Sequence, residues 1–348
     1  NELLRHIAER SAQPFSRYSL EELLSLQEFS PEERYRHLDG VLHVGISRIV
    51  VLLQDLPLGF GSTPPIRRVI RDYVQDLHDL RGSPPHDPER FERCILAIFA
   101  RHRGMMAQVA AGLGDFQASL RAFGPGLPAA RCADPEAVPA LRRIEEVLDE
   151  FFTVRTTLRL LIAHCLQLRP DGPHGAELQL RAPRGRGEAS RSRHVGAICL
   201  DTRPSLILVE AFQHAQYMCR REFGRAPQLL VNGVPAKDYL LAGGLDGPES
   251  RFPYVDIHLY FVFFEVVRSA LLTSVRKAGP GGEPEPVHAS LITGTSLCSE
   301  NERTVKITDS GEGVSREDVR RVFSYFYCTG AAAGAGAVCL LAAGQQGA

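Results

Sequence analysis

The sequence predicts an α+β protein, an amino-terminal four-helix bundle followed by an α/β sandwich, and three observations carry that prediction. First, the pattern changes along the 348 residues. Up to Leu168 apolar residues recur every three or four positions over long stretches, whereas beyond His194 short alternating runs mix with helical ones. Second, the stretch between them, RPDGPHGAELQLRAPRGRGEASRSR, holds too little apolar surface to offset the entropy of ordering it, which predicts a flexible linker over 169–193. Third, the run DIHLYFVFFEVVRSALLTSV at 256–275 is apolar at nearly every position from Ile257 to Val267, the pattern of a helix buried on most sides. The expected domains are therefore 1–168, helical, and 194–348, α/β.

Within the bundle, Ser30 followed by Glu32 and Glu33 reads as a helix start. Leu42, Ile46, Ile49, Val50 and Leu53 keep helical spacing from Val41 up to Leu56-Pro57. Pro64-Pro65 open a second helix through Ile66, Val69, Ile70, Tyr73, Val74, Leu77 and Leu80. A third is expected after Pro88, running unbroken through Phe91, Ile95, Ile98, His102, Met106 and Val109. The fourth follows Pro139, from Leu141 to about Leu166. Four long helices joined by Pro/Gly-rich loops argue for an antiparallel bundle. His102 and His164 read as polar helix residues rather than metal ligands, since neither has a second ligand at a usable spacing.

Lys+Arg 40 against Asp+Glu 41 leaves a net charge of −1, which favours neither nucleic acid nor an anionic membrane as partner. The arginines of 169–193 lack the interleaved aromatics of a nucleic-acid-binding segment. Eight scattered cysteines without a CxxC pair read as reduced, mostly buried thiols of a reducing compartment. No apolar run reaches the ~20 residues of a membrane helix, so no membrane insertion is expected. The chain begins at Asn1 rather than at a methionine, so its true start is expected to lie upstream and a targeting peptide cannot be seen in it.

In the second half, strands are predicted at 198–200, 229–231 (ending in the turn pair Asn232-Gly233), 289–292 and 305–307, with helices at 206–223, 256–275 and 316–326. Glu265 lies amid the aromatic run, where a carboxylate is costly unless paired, protonated or met by a polar ligand. Helical geometry sets Phe261, Glu265 and Ser269 on one stripe, with His258 two turns upstream of Glu265. A structural partner for Glu265 and a functional role remain equal alternatives on the helix alone. The strand at 305–307 runs into Asp309-Ser-Gly311-Glu-Gly313, whose glycines permit positive φ and close approach to a flat ligand.

A Glu-bearing helix, a strand pair, DxGxG and then FSYFY, in that order, resemble the ATP-binding domain shared by gyrase, large heat-shock chaperones and histidine kinases. Within that group the chain is most similar to the mitochondrial 2-oxo-acid dehydrogenase kinases. LLQDLPLGF at 52–60, RHRGMMAQVAAGL at 101–113, FFTVRTTLRLLIAH at 151–164 and HVGAI at 194–198 extend the resemblance over about 40–340. It implies a mitochondrial-matrix, homodimeric kinase that uses ATP and Mg²⁺ to phosphorylate a serine on the E1 component of such a complex. The complex it points to is the pyruvate type, which phosphorylation would switch off. The bundle would dock the lipoyl-bearing E2 component and take part in regulation by small molecules. Glu265 would orient or deprotonate the serine hydroxyl. Asp309, Gly311 and Gly313 would hold adenine, with Arg268, Gly334 and Gly336 also on the nucleotide.

The chain departs from that pattern at three points. Ser269 stands where the family has the Asn that ligates Mg²⁺, and Phe261 where it has a His supporting the Glu. The phosphate-binding lid GxGxG is reduced to Gly334-Ala-Gly336 in an Ala/Gly tail read as truncated or mis-joined. A pseudokinase that docks without transferring phosphate is the alternative from a different class. A two-component histidine kinase ranks below both, because no sensor segment is visible.

Overall fold

The computed structural model describes residues 2–123, 138–168, 194–241, 251–293 and 303–326. They fall into two compact units: one holds the described residues up to 168 together with 316–326, the other those from 194 to 315.

The first unit is helical. Its elements are α1 Glu2–Ser11, α2 Leu20–Ser25, α3 Pro31–Gln54, α4 Pro64–Arg81, α5 Pro88–Arg101, α6 Met105–Phe123 and α7 Pro139–Gln167. The expected start of α3 is a full capping box: Ser30 Oγ accepts from the Glu33 amide, and Glu33 accepts from the Ser30 amide. α3 packs against α4 and α7, and α4 against α6. Leu38, Ile49, Leu53, Val69, Leu77, Phe151 and Leu161 are fully buried at that junction. The helix expected to continue through His102 is broken there. The chain turns over 102–104, where Gly104 takes φ +78°, and apolar spacing on either side hid the break.

His102, in that turn, and His164, in α7, each have a hydrogen-bond partner within the helical unit. His102 Nε2 sits 2.6 Å from Asp76 Oδ2, and His164 Nε2 donates to the Leu23 carbonyl at 2.8 Å, tying α7 to α2.

Residues 316–326 were expected to extend the α/β half as a helix. Only Arg316–Val319 (α11) is helical, and the segment belongs to the helical unit. Its carboxy-terminal end supplies the reason. Tyr325 donates to Asp149 Oδ1 at 2.8 Å and stacks on Phe152, Ser324 donates to Glu145, and Phe326 is buried beside Phe116. The linker 169–193 lies outside the described residues.

The second unit contains β1 His194–Val195, β2 Ile198–Thr202, α8 Pro204–Phe223, β3 Leu229–Val231, β4 Val234–Pro235, α9 Ala236–Leu241, β5 Phe252–Tyr254, α10 Asp256–Ala278, β6 Val287–Thr293 and β7 Arg303–Thr308. Two sheets form, β1-β2-β5 and β4-β3-β6-β7. The larger is mixed: β3 and β6 run parallel, while β4 and β7 are antiparallel to their neighbours. Asn232 and Gly233, at φ +49° and +83°, make the two-residue β3–β4 turn. α8 and α10 pack on each other and cover this sheet, with Leu208, Phe212, Val267, Leu271, Val231 and Ala289 in the shared core.

α10 corrects two expectations. It is buried on one face only, since Phe263, Val267, Ala270, Leu271 and Val275 face the core while Phe261, Val262 and Val266 are exposed. Aromatic content gave the element but not its orientation. By length and composition α10 is also apolar enough to cross a membrane, with a mean hydropathy of 1.3, contrary to the reading that no run qualifies. Packing of Val267 and Leu271 into the sheet core accounts for the apolarity of the buried face.

Candidate functional site

α10 presents Glu265, Arg268 and Ser269 outside the core. Glu265 is not the buried carboxylate the sequence suggested: its side chain keeps 27% of its surface, and Arg268 grips it one turn on. Arg268 Nη2 and Nε both reach Oε2, at 2.7 and 3.2 Å. Oε1 takes no hydrogen bond among the described residues and can accept from an incoming hydroxyl. Arg268, assigned to the nucleotide, is thus engaged with Glu265.

Two turns further along, Thr273 connects α10 to the DxGxG turn. Its Oγ1 lies 3.2 Å from Asp309 Oδ1 and close to the carbonyls of Ser269 and Ala270. Having one proton, it satisfies one acceptor at a time. Asp309 follows β7 directly, and its Oδ1 also accepts from the Gly311 amide at 2.7 Å, an Asx-type turn. That leaves Oδ2 without a partner among the described residues.

Gly311 is required by space: an added Cβ would lie 2.6 Å from Asp309 Oδ1 and 2.7 Å from Thr273 Cβ. Gly313 is required by conformation, at φ +76°. The sequence-derived residues Glu265, Ser269 and Asp309 are thus carried by one helix and the turn tied to it. Gly334 and Gly336 lie outside the described residues.

The donor set fits an adenine better than a magnesium ion. An outward carboxylate oxygen beside a backbone turn with no side chain at Gly311 suits a flat ring bearing an amino group. Magnesium asks for near-octahedral oxygen coordination, and α10 offers one neutral hydroxyl, Ser269, beside a carboxylate already held by Arg268.

The helical unit has a concave feature that the sequence did not single out. A small, mostly apolar cavity is lined by Leu42, Ile46, Leu158 and Ile162 together with Tyr73, Phe99, His102, Arg155 and Arg159. Arg155 donates to Tyr73 Oη at 3.0 Å, and Arg159 lies over the Phe99 ring. Burial, then the charge of Arg155, brings the Arg159 pKa down to about 10. The signal was there: Arg155 and Arg159 are one helical turn apart on an otherwise apolar face.

Compared with known proteins, residues 17–199 match the family model described as mitochondrial branched-chain alpha-ketoacid dehydrogenase kinase, more than half of the chain. The chain belongs to that family. Among its relatives is a mitochondrial [pyruvate dehydrogenase (acetyl-transferring)] kinase of Arabidopsis thaliana, 24% identical over 83% of this chain and 66% of the relative. Others are isozyme 1 of that kinase from Rattus norvegicus, 23% identical over 83% of this chain and 58% of the relative, and isozyme 4 from Mus musculus, 23% identical over 92% and 71%. The chain thus spans about three-fifths to two-thirds of the length of the first relatives it matches. The family match covers most of the helical unit, from residue 17, and ends at Cys199, ahead of Glu265 and Asp309.

Proposed function

We propose that this member of the dehydrogenase kinase family is a protein-serine kinase of the mitochondrial matrix. It transfers phosphate from ATP to the E1 component of a 2-oxo-acid dehydrogenase complex, the pyruvate complex by analogy with its named relatives, and so inactivates it. The second unit would be an ATP-binding domain of the gyrase and histidine-kinase type. The observation that carries this reading is the bond from Thr273 to Asp309, which fixes an adenine-accepting turn to the helix that carries Glu265.

Asp309 Oδ2 accepts the adenine amino group, and the bare backbone at Gly311 admits the ring. Glu265 Oε1 accepts the hydrogen bond of the substrate serine and takes its proton as the new bond forms. Arg268 holds that carboxylate in place. The helical unit docks the lipoyl-bearing E2 component and takes part in regulation by small molecules, and the chain works as a homodimer.

A second reading, a pseudokinase that docks without phosphate transfer, is favoured by Ser269, a poorer magnesium donor than an amide oxygen. One experiment separates the two. Ser269→Asn raises phosphate transfer to E1, measured with labelled ATP, and adding Glu265→Gln abolishes the gain while leaving nucleotide bound. If Ser269→Asn binds ATP but transfers nothing, and Glu265→Gln changes nothing, the pseudokinase reading replaces the enzyme.

A further inference from the structure

In the three-stranded sheet, Cys199 of β2 has a cross-strand partner on each side: His194 of β1 and Tyr254 of β5. Directly opposite residues present their side chains on one face. Two positions past Tyr254 the chain enters α10 at Asp256. Three donors of different chemistry, an imidazole, a thiol and a carboxylate, therefore converge from segments about sixty residues apart. Their ligating atoms all lie within 4.8 Å of one another. His194 Nε2 and Asp256 Oδ2 are 3.2 Å apart. Cys199 and Asp256 are buried, and His194 keeps 24% of its side chain exposed, which gives an ion an entry path.

We infer that His194, Cys199 and Asp256 form a site for a zinc-class divalent cation. Tetrahedral zinc, with bonds of about 2.0–2.3 Å to such ligands, sets its donors roughly 3.3–3.8 Å apart. The nitrogen–oxygen pair already has nearly that spacing, and the remaining contraction is about 1 Å. A thiolate with an imidazole selects zinc over magnesium or calcium, which take oxygen ligands. Three protein ligands leave a fourth position for water on the His194 side. Binding displaces the thiol proton to solvent, so that sulfur ligates as thiolate. The ion pins the β1–β2 hairpin to the first turn of α10, nine residues or about 13 Å along the helix from Glu265. It is therefore separate from any metal beside Ser269.

Cobalt titration of the purified full chain tests the assignment. One equivalent of Co²⁺ produces a thiolate-to-cobalt charge-transfer band and the intense visible bands of a four-coordinate ion, and Zn²⁺ bleaches both. Cys199→Ser removes the charge-transfer band, and His194→Gln weakens cobalt binding at least tenfold. A variant-free measurement accompanies these: Zn²⁺ slows alkylation of Cys199 in peptide mapping and leaves Cys219, a buried thiol of the same unit, unchanged. The inference is overturned if the wild-type chain gives no charge-transfer band, if Cys199→Ser keeps it, or if Zn²⁺ leaves Cys199 alkylation unaltered. The trio would then be a hydrogen-bonded brace only.

Discussion

At Asp309 the two carboxylate oxygens have separate duties, and substitutions can divide them. Oδ1 holds the turn through Gly311 and Thr273, while Oδ2 faces outward. Asp309→Ala removes both, and the lost charge-assisted hydrogen bond of about 1.5–3 kcal/mol lowers ATP affinity roughly ten- to a hundredfold by calorimetry. Asp309→Asn keeps an acceptor for the turn if its amide nitrogen points outward, but presents a donor to the adenine amino group. It should lose nucleotide while keeping the wild-type melting temperature. Equal affinity in wild type and both variants would remove Asp309 from the site.

The turn was legible in the sequence because DxGxG is local chemistry. The pairing of Glu265 with Arg268 was not: helical spacing permits that bond but does not choose it over burial. His194, Cys199 and Asp256 were invisible for a stronger reason, since only the β1–β2–β5 register brings them together.

Elements were read better than their orientations. The capping box of α3, the Asn232-Gly233 turn and the span of α10 follow from residues within a few positions of each other. Which side of α10 meets the sheet is decided by α8 and β6, which a local pattern cannot contain. The assignment has a direct consequence. Leu271→Ala, at a fully buried position, costs about 2–5 kcal/mol of stability in denaturant titration. Val262→Ser, on the exposed face, stays within about 0.5 kcal/mol of wild type. Equal losses would mean that the exposed face is covered in solution.

The helical unit makes a pH prediction as well. His164 and His102 have pKa values below the usual imidazole range, in both cases mainly through burial, which the Leu23 carbonyl and Asp76 only partly offset. In the unfolded chain these groups take up protons near pH 6.5, ahead of the folded state. Their contribution is therefore complete above that value and is lost as pH falls below it. Melting temperature should drop between about pH 7.5 and about pH 5.5. His164→Gln, which keeps a donor for Leu23 but cannot titrate, should flatten that dependence; an unchanged slope would exclude His164 as its source.

At the scale of the whole molecule, the helical unit is discontinuous in sequence: the chain leaves it at α7, builds the α/β unit, and returns with 316–326. A fragment ending at Leu168 should therefore be less stable than the same helices in the full chain. It lacks the Tyr325–Asp149 and Ser324–Glu145 bonds and the burial of Phe326. Loss of a Phe side chain from a core costs about 3–5 kcal/mol, and each kcal/mol shifts the melting temperature by roughly 2–4 °C in a unit of this size. A fragment melting at the temperature of the full chain's helical transition would show that the returning segment adds nothing.

The same topology sets a schedule for birth on the ribosome. At about 5–20 residues per second, α7 emerges on the order of ten seconds or more before the segment that covers it. During that interval the Phe152 ring has no Tyr325 to stack on and Phe116 no Phe326 beside it, however fast the helices themselves form. The nascent chain thus carries a timed apolar patch, a foothold for a chaperone that the finished protein no longer offers.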